Sequence, residues 1–460
     1  MNCPRIVIAG TESGVGKTSL TLALVSALKK RGLRVQTFKV GPDFLDPSYL
    51  ALASEMPCYN LDGWMMGRDY VCRLFDRATR GADIAVIEGV MGLFDGADAT
   101  TSSGSTAEIA RWLRAPVVLV VNVHGMARSL AAVVKGFAEF EQNVNVAGVI
   151  ANRCGSESHA AWLADVLDAA SLPPLAGGVP RGAFPHLPSR HLGLVTADAG
   201  NLTPEILAAL ADAFDRHVSL DRMLKLARSA PALDIITRPE GPGPQKKLSL
   251  GVAWDAAFHF YYQDLFDELA LRGCTVQRFS PLADRRLPTG LDALYFGGGY
   301  PEVHAEALSA NASMLADVRA FATAGRPIYA ECGGLMYLCR ALETKAGKSH
   351  PLVGLVPGVV RMLDRLKTLG YVEADLQADS LWGPRGTVLR GHEFHYSELT
   401  DNPADRDGWN TAYTLKKYRS EDRQPEGFQR GRVLASYVHL HLASRPEAVD
   451  YFVNHCGVQA

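Results

Sequence analysis

The chain has 460 residues, with 47 Lys plus Arg against 49 Asp plus Glu and a formal net charge of -2. That length suits two or three domains, each able to bury a core, and the near balance of charge argues against nucleic acid or a membrane surface as a general partner. Eight scattered cysteines form no Cys-x-x-Cys pair, which suits reduced thiols in the cytoplasm better than a disulfide framework or a zinc site. Arg5-Ile-Val-Ile-Ala9 opens directly as a strand, leaving no room for a signal peptide, and no apolar run is long enough to span a bilayer.

The first half alternates strand-like runs with helical patterns: Ile6–Ala9, Val35–Val40, Ile84–Ile87, Val117–Val121 and Val146–Ala151. Continuously apolar strands separated by helices predict a parallel sheet covered on both faces. The helix after the first strand carries Leu20, Leu24 and Leu28 on one face and ends with Lys29-Lys30-Arg31 before Gly32. Ser105-Thr-Ala-Glu108 has the form of a capping box. From 220 to 247 the pattern weakens, and Arg238-Pro-Glu-Gly-Pro-Gly-Pro-Gln-Lys-Lys247 has the composition of a stiff linker. A second α/β pattern follows in Leu248–Ala253, Val276–Phe279, Ala293–Phe296 and the apolar run into Cys332. The expected organisation is two domains, 1–240 and 241–460.

Gly10-Thr-Glu-Ser-Gly-Val-Gly-Lys-Thr18 joins the first strand to its helix. Glycines such as Gly14 and Gly16 let backbone N–H groups curl around phosphates at the positive end of a helix. Lys17 would reach the outer phosphates and the Thr18 hydroxyl would ligate magnesium. Five residues, not four, separate Gly10 from Gly16, and Thr11 stands at the expected first glycine. This longer loop resembles that of dethiobiotin synthetase and its relatives, which phosphorylate a carboxylate or carbamate. Lys39-Val-Gly-Pro-Asp-Phe-Leu-Asp-Pro47 and Glu88-Gly-Val-Met-Gly-Leu-Phe-Asp-Gly96 follow later strands, at the sheet edge where ligands gather. They present Lys39, Asp43, Asp46, Glu88 and Asp95. Thr18, Asp46 and Glu88 are the expected Mg2+ ligands, because magnesium takes hard oxygens; any single Asp there could equally cap a turn. Asn152 is either an adenine contact or a plain loop residue.

In the second half, Tyr329-Ala-Glu-Cys-Gly-Gly-Leu-Met336 predicts a buried strand, a sharp turn at Cys332, and a helix from Gly333-Gly334 through Leu335, Leu338 and Leu342. A cysteine at a helix start is favoured as thiolate, although a tight turn with a small core residue would look similar. With Phe296-Gly-Gly-Gly-Tyr-Pro-Glu302 and Ser436-Tyr-Val-His-Leu-His441, the segment resembles the class I glutamine amidotransferases. That resemblance implies Cys332 as nucleophile, His439 as base and acid, and Gly298 and Gly299 as oxyanion donors. Those enzymes more usually end in His-x-Glu; here His441 replaces the Glu, which suits a Cys-His dyad. His392-Glu-Phe-His395 has no third metal-ligand pattern beside it, and a similar segment in the resembled domain is structural or near an interface. Tyr261, Tyr262 and Gln263 could touch a substrate or simply begin a helix.

Taken jointly, these motifs resemble the cobyrinate a,c-diamide synthase family from Arg5 to about Tyr451. The resemblance implies a P-loop synthetase domain followed by a class I amidotransferase domain. It implies ATP, Mg2+, glutamine and a corrin polycarboxylate, amidated on its a and c acetates during cobalamin biosynthesis through a phosphorylated carboxylate. Hydrogenobyrinate and nickel-sirohydrochlorin diamide synthases share these motifs, and a cobyric acid synthase has a similar two-domain chain. A P-loop ATPase switch fused to a glutamine sensor is the alternative of a different class. Homodimerisation is left open.

Overall fold

The computed structural model describes residues 3–185, 202–234, 247–404 and 406–456, and the chain divides into two compact units, Met1–Arg238 and Pro239–Ala460. The linker composition read at 238–247 lies, Lys247 aside, outside the described residues. Among the described residues no helix is long and apolar enough to cross a membrane.

In the first unit, β1 (Arg5–Gly10), β2 (Val35–Val40), β3 (Tyr59–Leu61), β4 (Ile84–Glu88), β5 (Val117–Asn122), β6 (Val146–Cys154) and β7 (Leu175–Pro180) form one sheet in the order β3-β2-β4-β1-β5-β6-β7. Every pairing is parallel. The apolar runs fill its centre: β1, β2 and β4 are buried from end to end, as strands covered by helices on both faces must be. The first helix, α1 (Lys17–Lys30), buries Leu20, Leu24 and Leu28. Gly32, at φ 78°, closes it with its N–H on Lys29 O. The helix Thr106–Trp112 is capped by Ser105, whose hydroxyl accepts from Glu108 N at 3.1 Å, while the Glu108 carboxylate takes Gly104 N at 2.8 Å. The box therefore reaches back one residue further than expected.

Among the described residues, β3, β7 and the helix Leu220–Arg228 were not read from the sequence. β3 has only three residues. β7 contains Gly177, whose missing Cβ would lie 2.3 Å from His217 O; close backbone approach, not side-chain pattern, shapes that edge. Leu220–Arg228, where the pattern weakened, is a helix capped by Ser219 and buried along Leu220, Met223 and Ala227.

The second unit contains β8 (Leu248–Ala253), β9 (Cys274–Phe279), β10 (Ala293–Phe296), β11 (Ile328–Glu331), β12 (Cys339–Glu343), β13 (Ser349–Pro351), β14 (Val356–Met362), β15 (Thr368–Leu376), β16 (Val388–His395), β17 (Ser397–Leu399), β18 (Asn410–Lys417), β19 (Arg423–Arg430), β20 (Val433–Ser436) and β21 (His439–His441). Ten of these make one sheet in the order β21-β16-β15-β18-β19-β20-β11-β10-β8-β9. β20, β11, β10, β8 and β9 run parallel, and β19, β18, β15, β16 and β21 extend them antiparallel. This antiparallel wing was not anticipated. Its strands alternate buried and open positions, as in β15, and carry no long apolar run.

The helix expected through Leu342 stops at Leu338, because Cys339 turns extended and Leu342 lies on β12. The start of that helix is crowded. A Cβ on Gly334 would sit 2.2 Å from Phe296 O, the backbone of the neighbouring strand. Gly334→Ala should therefore lower the unfolding free energy by about 1–3 kcal/mol, read from urea midpoints. An unchanged midpoint would show that the strand can yield.

Candidate active sites

The carboxyl ends of β1, β2 and β4 deliver the first site. β1 runs into the loop that precedes α1, with Gly14 and Gly16 at φ 76° and 101°, a region open chiefly to glycine. Beneath this loop Asn152, from β6, donates Nδ2–H to Val15 O at 2.7 Å, and a Cβ on Gly16 would meet that amide at 2.4 Å. Asn152 thus braces the phosphate-type loop; its adjacent Arg153 reaches Gly14 O. The Lys17 ammonium curls back to Glu12 O at 3.0 Å and Met91 O at 2.6 Å. Burial first, then the neighbouring Lys39 charge, pulls it down to about 8.

Lys39 is the centre of the adjoining cluster. Its ammonium donates to Asp46 at 2.5 Å and Glu88 at 2.8 Å, with Asp43 at 3.9 Å. Thr18 donates its hydroxyl to the same Glu88 at 2.7 Å, with Asp46 at 3.3 Å. Burial alone would neutralise Lys39, but Asp46, Glu88 and Asp43 outweigh it and hold the ammonium charged. Burial likewise pushes Glu88 above the usual carboxylate range despite Lys39, whereas Asp46, which burial would also raise, is held below it by that contact.

Thr18, Asp46 and Glu88 therefore do converge. Glu88 Oε2 is buried and has no partner among the described residues, so the donor set is hard, anionic and partly unsatisfied, which suits magnesium. Lys39 bears directly on these carboxylates. Asp43 and Asp95 have capping roles as well: Asp43 Oδ1 accepts Leu45 N and Asp46 N at the start of α2 (Leu45–Ser54), and Asp95 accepts Gly92 N.

At the end of β11 the chain turns sharply. Cys332 has φ 46° and ψ -101°, its N–H is fixed on Ser436 O at 2.7 Å, and a helix begins at the next residue. A non-glycine residue at positive φ is strained, and such strain concentrates at reactive sites. The glycine turn after β10 packs against this elbow. A Cβ on Gly298 would lie 2.5 Å from His439 Cε1, and Gly299 N is 3.1 Å from where a Gly333 Cβ would be. His439, at the start of β21, is buried; burial would deprotonate it, but the Cys332 charge and Glu331 raise it to about 10. The histidine is thus held protonated beside the Cys332 side chain.

Two regions match family models: residues 6–195 the CobQ/CobB/MinD/ParA nucleotide binding domain, and residues 249–447 the CobB/CobQ-like glutamine amidotransferase domain. Curated relatives match end to end. The cobyrinate a,c-diamide synthase of Syntrophotalea carbinolica is 57% identical over 99% of both chains. The chain belongs to the cobyrinate a,c-diamide synthase family. Further members from Leptospira interrogans, 43% identical over 98% of both chains, and Archaeoglobus fulgidus, 40% identical over 98% of this chain and 97% of its relative, agree.

In this family member the glutaminase-type site holds a residue not singled out beforehand. Glu331, the residue before Cys332, points Oε2 at His439 Nδ1 across 3.7 Å. The available signal was a carboxylate ending an otherwise apolar run, Ile328-Tyr-Ala-Glu331. His441 instead faces Asp264 at 3.7 Å. His392 stacks on His439 at 4.9 Å, while His395 stacks on Tyr437 and bonds Ser397 O. Tyr261 and Tyr262 are buried, Tyr261 bonding Ala253 O and Tyr262 bonding His392, and Gln263 begins the helix Gln263–Leu271. The two tyrosines serve the core. Among the described residues no cluster of three or more His, Cys, Asp or Glu forms a metal cage.

Lys39→Met would strand buried carboxylates and should cost about 3–5 kcal/mol. Without the ammonium Asp46 is no longer held low, and the folded pKa of Glu88 and of Asp43, already raised by burial, rises further above the unfolded value. The variant therefore keeps more stability below that pKa and loses it as pH rises through it. Urea unfolding at pH 5.5 and pH 8 should show the larger deficit at pH 8; an equal deficit would contradict the charge argument.

Proposed function

We propose that this chain amidates the a and c acetate carboxylates of cobyrinate, using ATP for activation and glutamine for nitrogen. The observation that carries this is one chain, matched end to end by a 57% identical relative of that name, bearing both a phosphate loop and a cysteine elbow. In this reading a substrate carboxylate oxygen attacks the terminal phosphorus of ATP, ADP leaves, and an acyl phosphate results. Loop amides and Lys17 hold the phosphates and neutralise charge that grows in transfer. Thr18, Asp46 and Glu88 would hold Mg2+, which when bound screens the phosphate oxygens. Ammonia then attacks the acyl carbon, the bond to phosphate breaks, and amide and phosphate are released.

At the second site the Cys332 thiolate attacks the side-chain carbonyl carbon of glutamine. Amides at the Gly298-Gly299 turn receive the oxyanion, and the His439 imidazolium protonates departing ammonia. Water, deprotonated by His439, then cleaves the thioester to glutamate. The free cysteines, none in a disulfide, favour a cytoplasmic setting, and the balanced charge gives nucleic acid no purchase.

Mass spectrometry after incubating the protein with glutamine, ATP, magnesium and, separately, cobyrinate, hydrogenobyrinate or nickel-sirohydrochlorin tests the acceptor. Two acid-to-amide conversions on cobyrinate are expected. Conversion of another tetrapyrrole alone would reassign the substrate, and substrate-independent ATP hydrolysis with no conversion would favour the ATPase switch. Cys332→Ser should abolish glutamine-dependent amidation and leave the ammonia-dependent reaction intact; loss of both would contradict the division of labour.

A further inference from the structure

We propose that Glu331 is the positioning carboxylate of the glutaminase, orienting His439 through Nδ1 and stabilising its imidazolium, a task assigned in His-x-Glu enzymes to the residue two beyond the histidine. The inference rests on the glutaminase reading above. Here the residue two beyond is His441, which is directed to Asp264. The carboxylate instead arrives from β11, one residue ahead of the nucleophile.

The surroundings of Glu331 use both of its oxygens as acceptors. Its Oε1 accepts the Tyr329 hydroxyl at 2.5 Å and Leu440 N at 3.1 Å, and its Oε2 accepts the Tyr295 hydroxyl at 2.8 Å. Burial, then the Glu331 charge, holds both tyrosines far above their ordinary range, so they remain donors. All three contacts are neutral, yet a carboxylate only 3% exposed calls for a countercharge. Among the ion pairs of the described residues, His439 is the one cation facing it, at 3.7 Å.

The same contacts fix the histidine. Leu440 N ties the carboxylate to the strand that bears His439, while pairing of Glu331 with Ser436 on β20 keeps the end of β11 beside that chain. The other titratable groups about His439 are Cys332, His392 and its own strand's His441. His392 lies flat against it, at 17° between rings, and is held well below its ordinary range by burial first and then by His439. Glu331 is thus the carboxylate on the Nδ1 side of His439, and it acts with Cys332 to favour the protonated ring.

Glutamate release by Glu331→Gln, which keeps the shape and removes the charge, tests this against pH. Loss of the anion should lower kcat roughly 10²–10⁴-fold with the KM for glutamine little changed. It should also move the alkaline limb of the profile, set by loss of the imidazolium, down by about 1–3 pH units. Ammonia-dependent amidation should be unaffected. Glu331→Asp, charged but shorter, should restore the limb with only part of kcat. A kcat within twofold of the parent, a low kcat with the limb unmoved, or a matching loss of the ammonia reaction would each overturn the proposal. An unsubstituted protein that releases no glutamate would contradict the glutaminase reading itself.

Discussion

Parallel strands release the chain at the carboxyl edge of a sheet, and both reactive centres depend on how tightly it turns there. At β1 the turn is made by Gly14 and Gly16 in conformations that side chains resist, which frees backbone amides at the head of α1. At β11 a cysteine itself takes the positive φ. The strain is maintained because Cys332 N is anchored on Ser436 O and the next two glycines press against Pro301 and Phe296. One construction, strand then sharp turn then helix, thus presents free backbone amides in one unit and a cysteine side chain in the other.

Buried charge is the second common feature, and its neutralisation shapes each site. In the synthetase unit one ammonium, Lys39, serves three carboxylates, Asp43, Asp46 and Glu88. In the amidotransferase unit one buried carboxylate, Glu331, faces one buried histidine, His439, whose protonated form it favours. Low polarity strengthens each attraction and makes each unpaired ion costly, so neither arrangement tolerates loss of one member.

Much of this organisation was legible in the sequence, and the limits have physical causes. Central strands such as β1, β4 and β5 announce themselves because burial on both faces demands unbroken apolar runs. Thr18, Asp46 and Glu88 could be grouped because each follows a strand of one parallel sheet. The antiparallel wing gave no such signal, since its strands alternate and their pairing is set by turns far apart in sequence. Leu342 continued a helical period but was claimed by β12. The bond of Lys39 to Asp46 and Glu88 is a choice among several reachable partners that spacing cannot make. Glu331 stood in plain view beside Cys332, yet only the folded pairing of β11 with β20 brings it near His439.

The proposed reaction joins the chemistry of the two units through a phosphorylated carboxylate. The most direct measurement uses substrate labelled with ¹⁸O in its side-chain carboxylates and follows the label into inorganic phosphate. One labelled oxygen transferred to phosphate per amide formed is the expected result. Amide formation with unlabelled phosphate would show that the carboxylate is never phosphorylated and would contradict the account.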